Sequence, residues 1–389
     1  MELSWRTTVL LVTGLPAIMA AMMIWANARE VVAARFFLAV ILAWVLFSTP
    51  YVIGFSGAYQ AYPWLTFAPF NTELYIGPLW LLTVRALTSE KLPNRWWLWL
   101  VPGAVQTLYY TGCFLLIGPE WGTGEGAADL KFAFNDAFHE PYIVPIETAF
   151  GLGLIAYAGW ESWRRIGRYR EWIGREHSNA DRVDLAWLSH AGAAIIGLAL
   201  IWLSSDVLAT IIGPLSYMTN FWFYAVSGVV VLWLALQFLA RSDRRFPKPD
   251  AQSTDISSKA DPSEAQKPSV PARLALAAVE ARVREGGWHF DQDLTLGELA
   301  RRLGTNSSTL SAALNAREEV NFTSFINGLR VDAMCDQLRR VEAGANPNLL
   351  DLALDCGFGS KATFNRAFKR HTGLSPREWM GRQRERQAA

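Results

Sequence analysis

Cysteine is scarce in this sequence, with three residues among 389. Cys113, Cys335 and Cys356 are an odd number, and no two of them have the CxxC spacing of a metal or redox site. The sequence therefore predicts no disulfide framework, no bound metal and no cofactor. We expect the three thiols to pack as small apolar side chains.

Catalytic motifs are also missing. The sequence contains neither HExxH nor GxSxG, and it shows no Ser/His/Asp pattern typical of a hydrolase. Residues 151–156 (GLGLIA) have glycines spaced as in a dinucleotide-binding loop, but no predicted strand precedes them. We therefore predict no catalytic residue and expect that the chain is not an enzyme.

Long runs with few charged side chains fill residues 1–240, although charged residues make up 18% of the whole chain. A bilayer core about 30 Å thick is crossed by about 20 apolar residues in a helix. Seven segments of residues 1–240 meet this requirement and predict a seven-span membrane domain. They are Thr7–Ala26, Phe36–Phe55, Trp64–Val84, Trp96–Gly118, Tyr142–Trp160, Trp187–Gly213 and Phe221–Ala240.

Basic residues alternate between the loops that join these segments. Lys and Arg accumulate on the cytoplasmic side of a membrane, and here they follow the first, third, fifth and seventh spans. The pattern predicts a multi-pass protein of the bacterial inner membrane with its N-terminus outside and its C-terminus in the cytoplasm. The basic residues are Arg29, Arg35, Arg85, Lys91, Arg95, Arg164, Arg165, Arg168, Arg170, Arg175, Arg182, Arg241, Arg244, Arg245 and Lys248.

Four ionisable residues interrupt the apolar segments: Glu73, Glu147, His190 and Asp206. Each costs roughly 2.5–3.5 kcal/mol at the centre of a span, so such residues usually face a bundle interior or a wet cavity. Two interpretations stay open: a ligand or proton site that senses a signal, or structural polar contacts. Small residues at four-residue spacing, Ala149 with Gly153 and Ala193 with Gly197, are expected to let helices approach closely.

Residues 241–271 have the composition of a disordered linker. They contain five prolines among Ser, Asp, Lys and Gln, and they have too few apolar side chains to form a core. A flexible chain of this length has a root-mean-square span of about 30 Å. A domain that follows it therefore stays near the membrane.

Residues 272–389 change to helical periodicity and contain one unit twice. In the first copy, 294–315, an apolar face with Ala300 ends at Gly304, and Asn306 or Ser307 caps the next helix. In the second copy, 349–370, Ala353 and Gly357 repeat the spacing, and Ser360 is the expected cap. A small residue at a close crossing and a glycine at the turn are typical of a helix-turn-helix. A long helix, 322–342, is predicted between the copies.

This region resembles the DNA-binding domain of the AraC/XylS family of bacterial transcription regulators. The resemblance covers roughly residues 272–380 and rests on LTLGELARRLG, FTSFINGLRVDAM and CGFGSKATFNRAFKRHTGLSPREW. It implies a double helix-turn-helix domain. With the seven-helix membrane bundle predicted from the apolar segments, the whole chain is expected to be all-α. Most members of the family carry a soluble ligand-binding domain instead, so the membrane half is a departure.

The resemblance implies that two recognition helices enter successive segments of the major groove. Arg366 is the expected guanine contact, because its guanidinium pairs bidentately with O6 and N7. The first helix lacks the long side chains that the family often has there, and Glu318 and Glu319 follow it. We therefore expect the second unit to carry more of the affinity. The candidate DNA-binding residues are Ser307, Ser308, Thr309, Ser311, Ala312, Ser360, Lys361, Ala362, Thr363, Asn365, Arg366, Lys369 and Arg370.

The sequence thus favours a membrane-bound one-component transcription regulator. Its expected partners are double-stranded promoter DNA, the lipid bilayer, a second copy of the chain and an unknown small-molecule or envelope signal, with RNA polymerase as a further candidate. Two alternatives stay open. The membrane half is a passive tether, or it is an enzyme or transporter with an autoregulatory DNA-binding domain.

Overall fold

The chain is described here from a computed structural model that covers residues 4–28, 30–62, 65, 67–89, 91–117, 133–179, 186–212, 217–241, 247, 276–315, 321–340 and 347–388. Within these ranges every regular element is a helix, and the sole β feature is an isolated bridge between His177 and Thr295. The all-α prediction is therefore confirmed. The chain forms two compact units: Met1–Ile166 with Ala186–Ala251, and Gly167–Leu185 with Gln252–Ala389.

The first unit consists mainly of long apolar helices. A 3-10 turn, Trp96–Leu100, leads into α5, and a π-helical segment, Asn135–Ile143, leads into α6. Helix α6 is continuous and contributes residues to both units. The helices are α1 Trp5–Ala28, α2 Val32–Phe55, α3 Ala58–Ala61, α4 Glu73–Thr88, α5 Val101–Ile117, α6 Val144–Glu176, α7 Ala186–Ile212 and α8 Tyr217–Leu239.

Among the residues that the structure describes, four helical stretches are long and apolar enough to cross a membrane: Trp5–Ala28, Val32–Phe55, Asn135–Glu176 and Asn220–Leu239. Side chains that face away from the packed helices are apolar as well; Met22 is 66% exposed and Leu116 is 79% exposed. Soluble monomers rarely expose large contiguous apolar patches. These outer faces suit a lipid environment.

The third predicted span is shorter than the sequence suggested. Helix α4 begins at Glu73 rather than near Trp64 and has 16 residues, fewer than the about 20 that a bilayer core requires. Pro69 disfavours helix at the residue before it, and the hydroxyl of Thr72 donates to the backbone oxygen of Ala43 at 2.6 Å. The count of seven spans and their orientation stay predictions.

Aromatic and small side chains pack the helices of the first unit. Phe37 stacks on Phe238 with ring centroids 4.5 Å apart, and the indole of Trp44 donates to Ser227 at 3.1 Å. These contacts join α2 to α8, and α1 packs against both helices. The core therefore contains hydrogen bonds as well as apolar surfaces.

The expected role of Gly153 and Gly197 is not supported. A Cβ atom built on either glycine meets no described atom within 4 Å, so neither lies at a close approach. The close approaches lie elsewhere. A Cβ on Gly228 would collide with Thr13 of α1, and one on Gly159 would collide with Ile196 of α7.

The second unit has two apolar clusters joined by one long helix. Its helices are α9 Leu276–Glu285, α10 Leu296–Arg302, α11 Ser307–Asn315, α12 Phe322–Arg339, α13 Leu349–Asp355, α14 Lys361–Thr372 and α15 Pro376–Ala388. The first cluster is built around α10 and α11, and the second around α13 and α14. Helix α12 supplies Ile326 and Leu329 to the first cluster, and Val331 and Met334 to the second. Helix α12 is therefore part of both apolar clusters.

Candidate nucleic-acid interface

The two helix-turn-helix units have the same turn. Gly304 and Gly357 adopt φ angles of +72° and +89°, a backbone region that glycine enters at low cost. After each glycine the next backbone N–H donates to the alanine at the crossing. Thr305 donates to Ala300 at 2.9 Å, and the equivalent bond from Phe358 to Ala353 is 3.0 Å. The repeat predicted from the Ala-to-Gly spacing is therefore present in the backbone.

A polar side chain caps the second helix of each unit. Oδ1 of Asn306 accepts the backbone N–H of Thr309 at 2.8 Å, so Asn306 rather than Ser307 caps α11. The hydroxyl of Ser360 accepts the backbone N–H of Thr363 at 3.2 Å at the start of α14, as predicted. Each cap satisfies an N–H that has no partner within the helix.

The exposed face of α11 is polar but uncharged. Ser308, Thr309 and Ala312 are exposed, while Ser307 and Ser311 are half-buried. The Ser308 hydroxyl donates to Oδ1 of Asn306 at 2.8 Å. Glu318 and Glu319 lie outside the described residues. This helix offers hydrogen-bonding groups but no cation.

The exposed face of α14 is strongly basic. Phe364 and Phe368 are buried on its inner side, so the opposite side of the helix faces solvent. That outer side contains no acid among the residues of α14. The exposed residues are Lys361, Ala362, Asn365, Arg366, Lys369 and Arg370. Such a face suits contact with phosphates and base edges.

Thr363 is a correction to the predicted set. Its side chain is 4% exposed, and its hydroxyl lies 2.8 Å from that of Ser360. Because Ser360 holds the helix N-terminus and Thr363 points inward, both stabilise the start of α14. We therefore remove Thr363 from the candidate base contacts.

Arg330 lies where the two helix-turn-helix units meet. The sequence patterns did not single out this residue. It lies on α12 with no solvent exposure. Its guanidinium donates to the backbone oxygens of His289 and Asp291, both at 2.7 Å. A buried arginine is tolerated only when its donors are paired. The sequence offered one signal, an arginine within an apolar helical pattern.

Two further partners of Arg330 lie directly after the end of α6. Nη2 donates to the hydroxyl of Ser178 and Nη1 donates to Oδ1 of Asn179, each at 3.1 Å. Asn179 in turn donates to the backbone oxygens of Gln292 and Gly357, at 2.7 and 3.1 Å. The segment 174–179 is thus an internal part of the second unit, and nothing in its sequence indicated this.

Asp332 also joins the two halves of this unit. Its carboxylate accepts a bond from Arg284 of α9 at 2.5 Å and contacts Nε2 of His371 on α14 at 2.8 Å. Burial alone would raise the pKa of Asp332, but the bonds from His371 and Arg284 outweigh it and lower that pKa. The bond to Asp332 raises the pKa of His371 above its ordinary 6.5.

The structure brings together two of the four ionisable residues predicted in the membrane half. Glu73 accepts a bond from the amide of Gln106 at 2.6 Å, and Glu147 accepts one from the hydroxyl of Tyr110 at 2.9 Å. Both glutamates line one cavity. His190 is exposed and does not line it. The side chain of Asp206 lies outside the described residues.

His139 is a polar neighbour of this pair that sequence reasoning missed. It is buried, and its ring nitrogens lie 3.0 Å from the hydroxyl of Tyr109 and 3.5 Å from that of Tyr110. It stands in the π-helical segment before α6, outside any apolar run that would have drawn attention to it. In the described residues, no three His, Cys, Asp or Glu side chains are grouped as metal ligands.

Comparison with known proteins supports the assignment of the second unit. A family model described as a helix-turn-helix domain matches residues 299–382. An uncharacterized HTH-type transcriptional regulator of Staphylococcus aureus is 33% identical over 93 residues, which are 24% of this chain and 12% of that protein. The melibiose operon regulatory protein of Escherichia coli is 23% identical over 91 residues, which are 23% of this chain and 29% of that protein.

These similarities cover a minor part of each protein. This chain spans 12% of the Staphylococcus aureus regulator, and the family model matches only residues 299–382. No solved structure matches the chain. The repeated turn, the basic outer face of α14 and the sequence matches agree with one another. The C-terminal region of this chain is therefore a helix-turn-helix domain similar to those of AraC-type transcription regulators.

Proposed function

We propose that this chain is a membrane-bound one-component transcription regulator. It binds specific promoter DNA through its two helix-turn-helix units and responds to a signal that reaches its membrane half. The observation that carries the proposal is the exposed basic face of α14, with Lys361, Arg366, Lys369 and Arg370. The described part of the same chain also contains four apolar helices of membrane-spanning length.

The second unit supplies most of the DNA affinity in this proposal. Helix α14 presents four cations on one face, whereas α11 presents serine, threonine and alanine. Phosphate neutralisation by Lys and Arg dominates affinity, while base contacts select sequence. Helix α11 therefore contributes to selectivity through hydroxyl groups more than to affinity. The glycine turns and the helix caps hold α11 and α14 in place against α12.

The remaining parts of the proposal concern assembly and location. The chain lies in the bacterial inner membrane with its C-terminal domain in the cytoplasm, and it acts as a homodimer that contacts RNA polymerase at its promoters. Paired domains read a longer and more selective site than one domain does. The apolar outer faces of the first unit support membrane insertion, and the alternation of basic loops supports the orientation.

Selection from random DNA tests this function without knowledge of the target genes. The full chain in lipid nanodiscs is expected to enrich one sequence from a random double-stranded library. Arg366→Ala should lose that enrichment, because the side chain that reads guanine is gone. Arg340→Ala, which removes an exposed arginine at the end of α12, is the matched control and should retain it. Failure of the wild-type chain to enrich any sequence would contradict the proposal.

A further inference from the structure

A cavity of about 110 Å³ lies inside the first unit. Residues of α2, α4, α6, α7 and α8 line it, and most of its wall is apolar. Four aromatic rings, those of Trp44, Phe47, Trp202 and Phe223, contribute to this wall. An apolar cavity of about 150 Å³ in another protein holds one benzene molecule. The space here suits a ligand of similar size.

The cavity contains two carboxyl groups and no basic side chain among its lining residues. The acids are Glu73 and Glu147. The amide of Gln106 donates to one oxygen of Glu73, and the hydroxyl of Tyr110 donates to one oxygen of Glu147. The second oxygen of Glu73 is buried and has no hydrogen-bond partner in the described structure. A buried acid without a partner is costly, so this oxygen is an open acceptor.

We propose that this cavity binds a small hydrophobic amine and that this amine is the signal of the proposed regulator. The ammonium group lies between Glu73 and Glu147 and donates to the open oxygen of Glu73. The apolar body packs among the aromatic rings, which also attract a cation through their faces. The inference rests on the proposed function for its role as a signal, but amine binding itself does not depend on DNA.

The charge of the site decides between ligand classes. An anion would meet two acids and no cation, so it is disfavoured. A neutral molecule without an N–H or O–H group fills the cavity but leaves the open oxygen without a donor. A lipid acyl chain has the same defect. A neutral alcohol of the same shape supplies one donor but no charge to pair with the acids. A protonated amine satisfies both the apolar wall and the acids.

Three probes of similar shape test the proposal: benzylamine, benzyl alcohol and benzoate. Titration calorimetry on the full chain in nanodiscs, without DNA, measures each one. Benzylamine should bind at least about tenfold more tightly than benzyl alcohol, and benzoate should bind least. Glu73→Gln and Glu147→Gln should each weaken benzylamine by about tenfold or more. Glu140→Gln, an exposed acid on the segment before α6, should leave its affinity unchanged.

The proposal is overturned if benzyl alcohol binds as tightly as benzylamine, if benzylamine does not bind, or if both glutamine variants bind it normally. Glu→Gln keeps the side-chain shape, so each variant is expected to fold. Circular dichroism of each variant checks this and so separates loss of binding from loss of folding. Failure here leaves the DNA selection result intact, and failure of that selection leaves the amine affinity intact.

A second inference comes from an independent contact, the segment 174–179 in the DNA-binding unit. The hydroxyl of Thr323 donates to the backbone oxygens of Gly174 and His177 at 2.7 and 2.8 Å. Ser178 donates from its backbone to Leu294 at 3.2 Å. Oδ1 of Asn179 accepts from the backbone of Gly359 at 3.2 Å, directly before α14. The segment therefore contacts both helix-turn-helix units.

We infer that the segment 174–179 is a clamp that fixes the spacing of the two recognition helices. Arg330, buried at the joint, depends on this clamp for two of its hydrogen-bond acceptors. Withdrawal of the clamp removes two of the acceptors of a buried cation, which favours rearrangement of the joint. The clamp consists of the last three residues of α6 and the three residues that follow it.

Spacing preference distinguishes a clamp from a merely stabilising contact. The DNA site selected by the full chain is lengthened by one base pair between the segments read by α11 and α14. The wild type should lose affinity severalfold on the longer site, because a fixed joint cannot follow the change. Asn179→Ala should bind the two sites with more similar affinity. Arg175→Ala, an exposed residue of the same segment, should behave as wild type.

Hydrogen exchange of the full chain provides a readout that needs no DNA. Asn179→Ala should speed exchange at the backbone amide of Gly359, while Arg175→Ala should not. If Asn179→Ala keeps both the exchange rate and the spacing preference of the wild type, the clamp is refuted. If exchange rises but the spacing preference stays, the segment stabilises the domain without setting its geometry, and the inference also fails.

Discussion

Nη1 of Arg330 donates a hydrogen bond of 3.1 Å to Oδ1 of Asn179, although the two residues are separated by 151 positions in the sequence. Through this bond a segment that precedes the sixth predicted span becomes part of the helix-turn-helix domain. The same asparagine also bonds to Gly357, the turn glycine of the second unit. The joint between the two recognition helices is therefore built from three distant parts of the chain.

Gly357 should tolerate alanine less well than its counterpart Gly304. Both have positive φ, which costs an L-residue about 1–2 kcal/mol. A Cβ on Gly357 would also lie 2.7 Å from the backbone oxygen of Phe290 and 2.9 Å from that of His289, whereas one on Gly304 meets no described atom within 4 Å. Thermal unfolding of the full chain should show a larger loss for Gly357→Ala. Equal losses would contradict the packing of this joint.

Arg366 and Lys369 should affect DNA binding in different ways. Arg366→Ala should cost about 1–3 kcal/mol on the selected site and relax specificity at one base pair. Lys369→Ala should weaken all sequences alike and reduce the slope of log affinity against log salt by about 1. Fluorescence anisotropy over a salt series measures both effects. Ser308→Ala on α11 should leave the salt slope unchanged, and a fall in that slope would argue against the uncharged role of α11.

The pair of Asp332 and His371 should give a pH-dependent stabilisation. Because the pKa of His371 is raised above 6.5, its contribution is complete below pH 6.5 and disappears as the pH rises through the higher folded value. His371 is 43% exposed, so the contribution is that of an exposed pair, about 0.2–1 kcal/mol. The melting temperature of the wild type should exceed that of His371→Gln more at pH 5.5 than at pH 8.5.

The difference between wild type and variant is the informative quantity in this experiment. Burial lowers the pKa values of His289 and His177, so these residues destabilise the domain as the pH falls. Their effect is common to both proteins and cancels in the difference. A difference that does not change between the two pH values would refute the role of the pair.

Alanine substitution should affect stability differently at two glycines of the first unit, because their surroundings differ. Gly228→Ala should destabilise the packing of α1 on α8, because the added Cβ would collide with Thr13 and lie 3.1 Å from the ring of Trp44. Gly153→Ala meets no described atom within 4 Å and should be neutral or stabilising by up to about 1 kcal/mol. Unfolding of the chain in detergent by a graded denaturant compares them. A greater loss of stability for Gly153→Ala than for Gly228→Ala would contradict the described packing of α1 on α8.

The sequence predicted those features that depend on local patterns. Ala300 with Gly304, and Ala353 with Gly357, indicated both turns because a close crossing requires a small residue and a positive φ requires glycine. Ser360 indicated the start of α14 through its capping chemistry. Long apolar runs indicated the helices of the first unit, since their composition alone determines where they are stable.

Features that depend on contacts between distant residues were not predictable in this way. Nothing local marks Asn179 as a partner of Arg330, and nothing local places His139 beside Tyr110. Gly153 has the spacing of a packing glycine, but its neighbours leave open space, and spacing alone does not reveal this.

Genome-wide mapping of sites bound by the full chain in its native membrane tests the central claim most directly. The account predicts discrete sites that share the sequence selected in vitro, loss of these sites in Arg366→Ala and their retention in Arg340→Ala. Bound sites without a shared sequence, or the same occupancy in Arg366→Ala at equal protein levels, would contradict it.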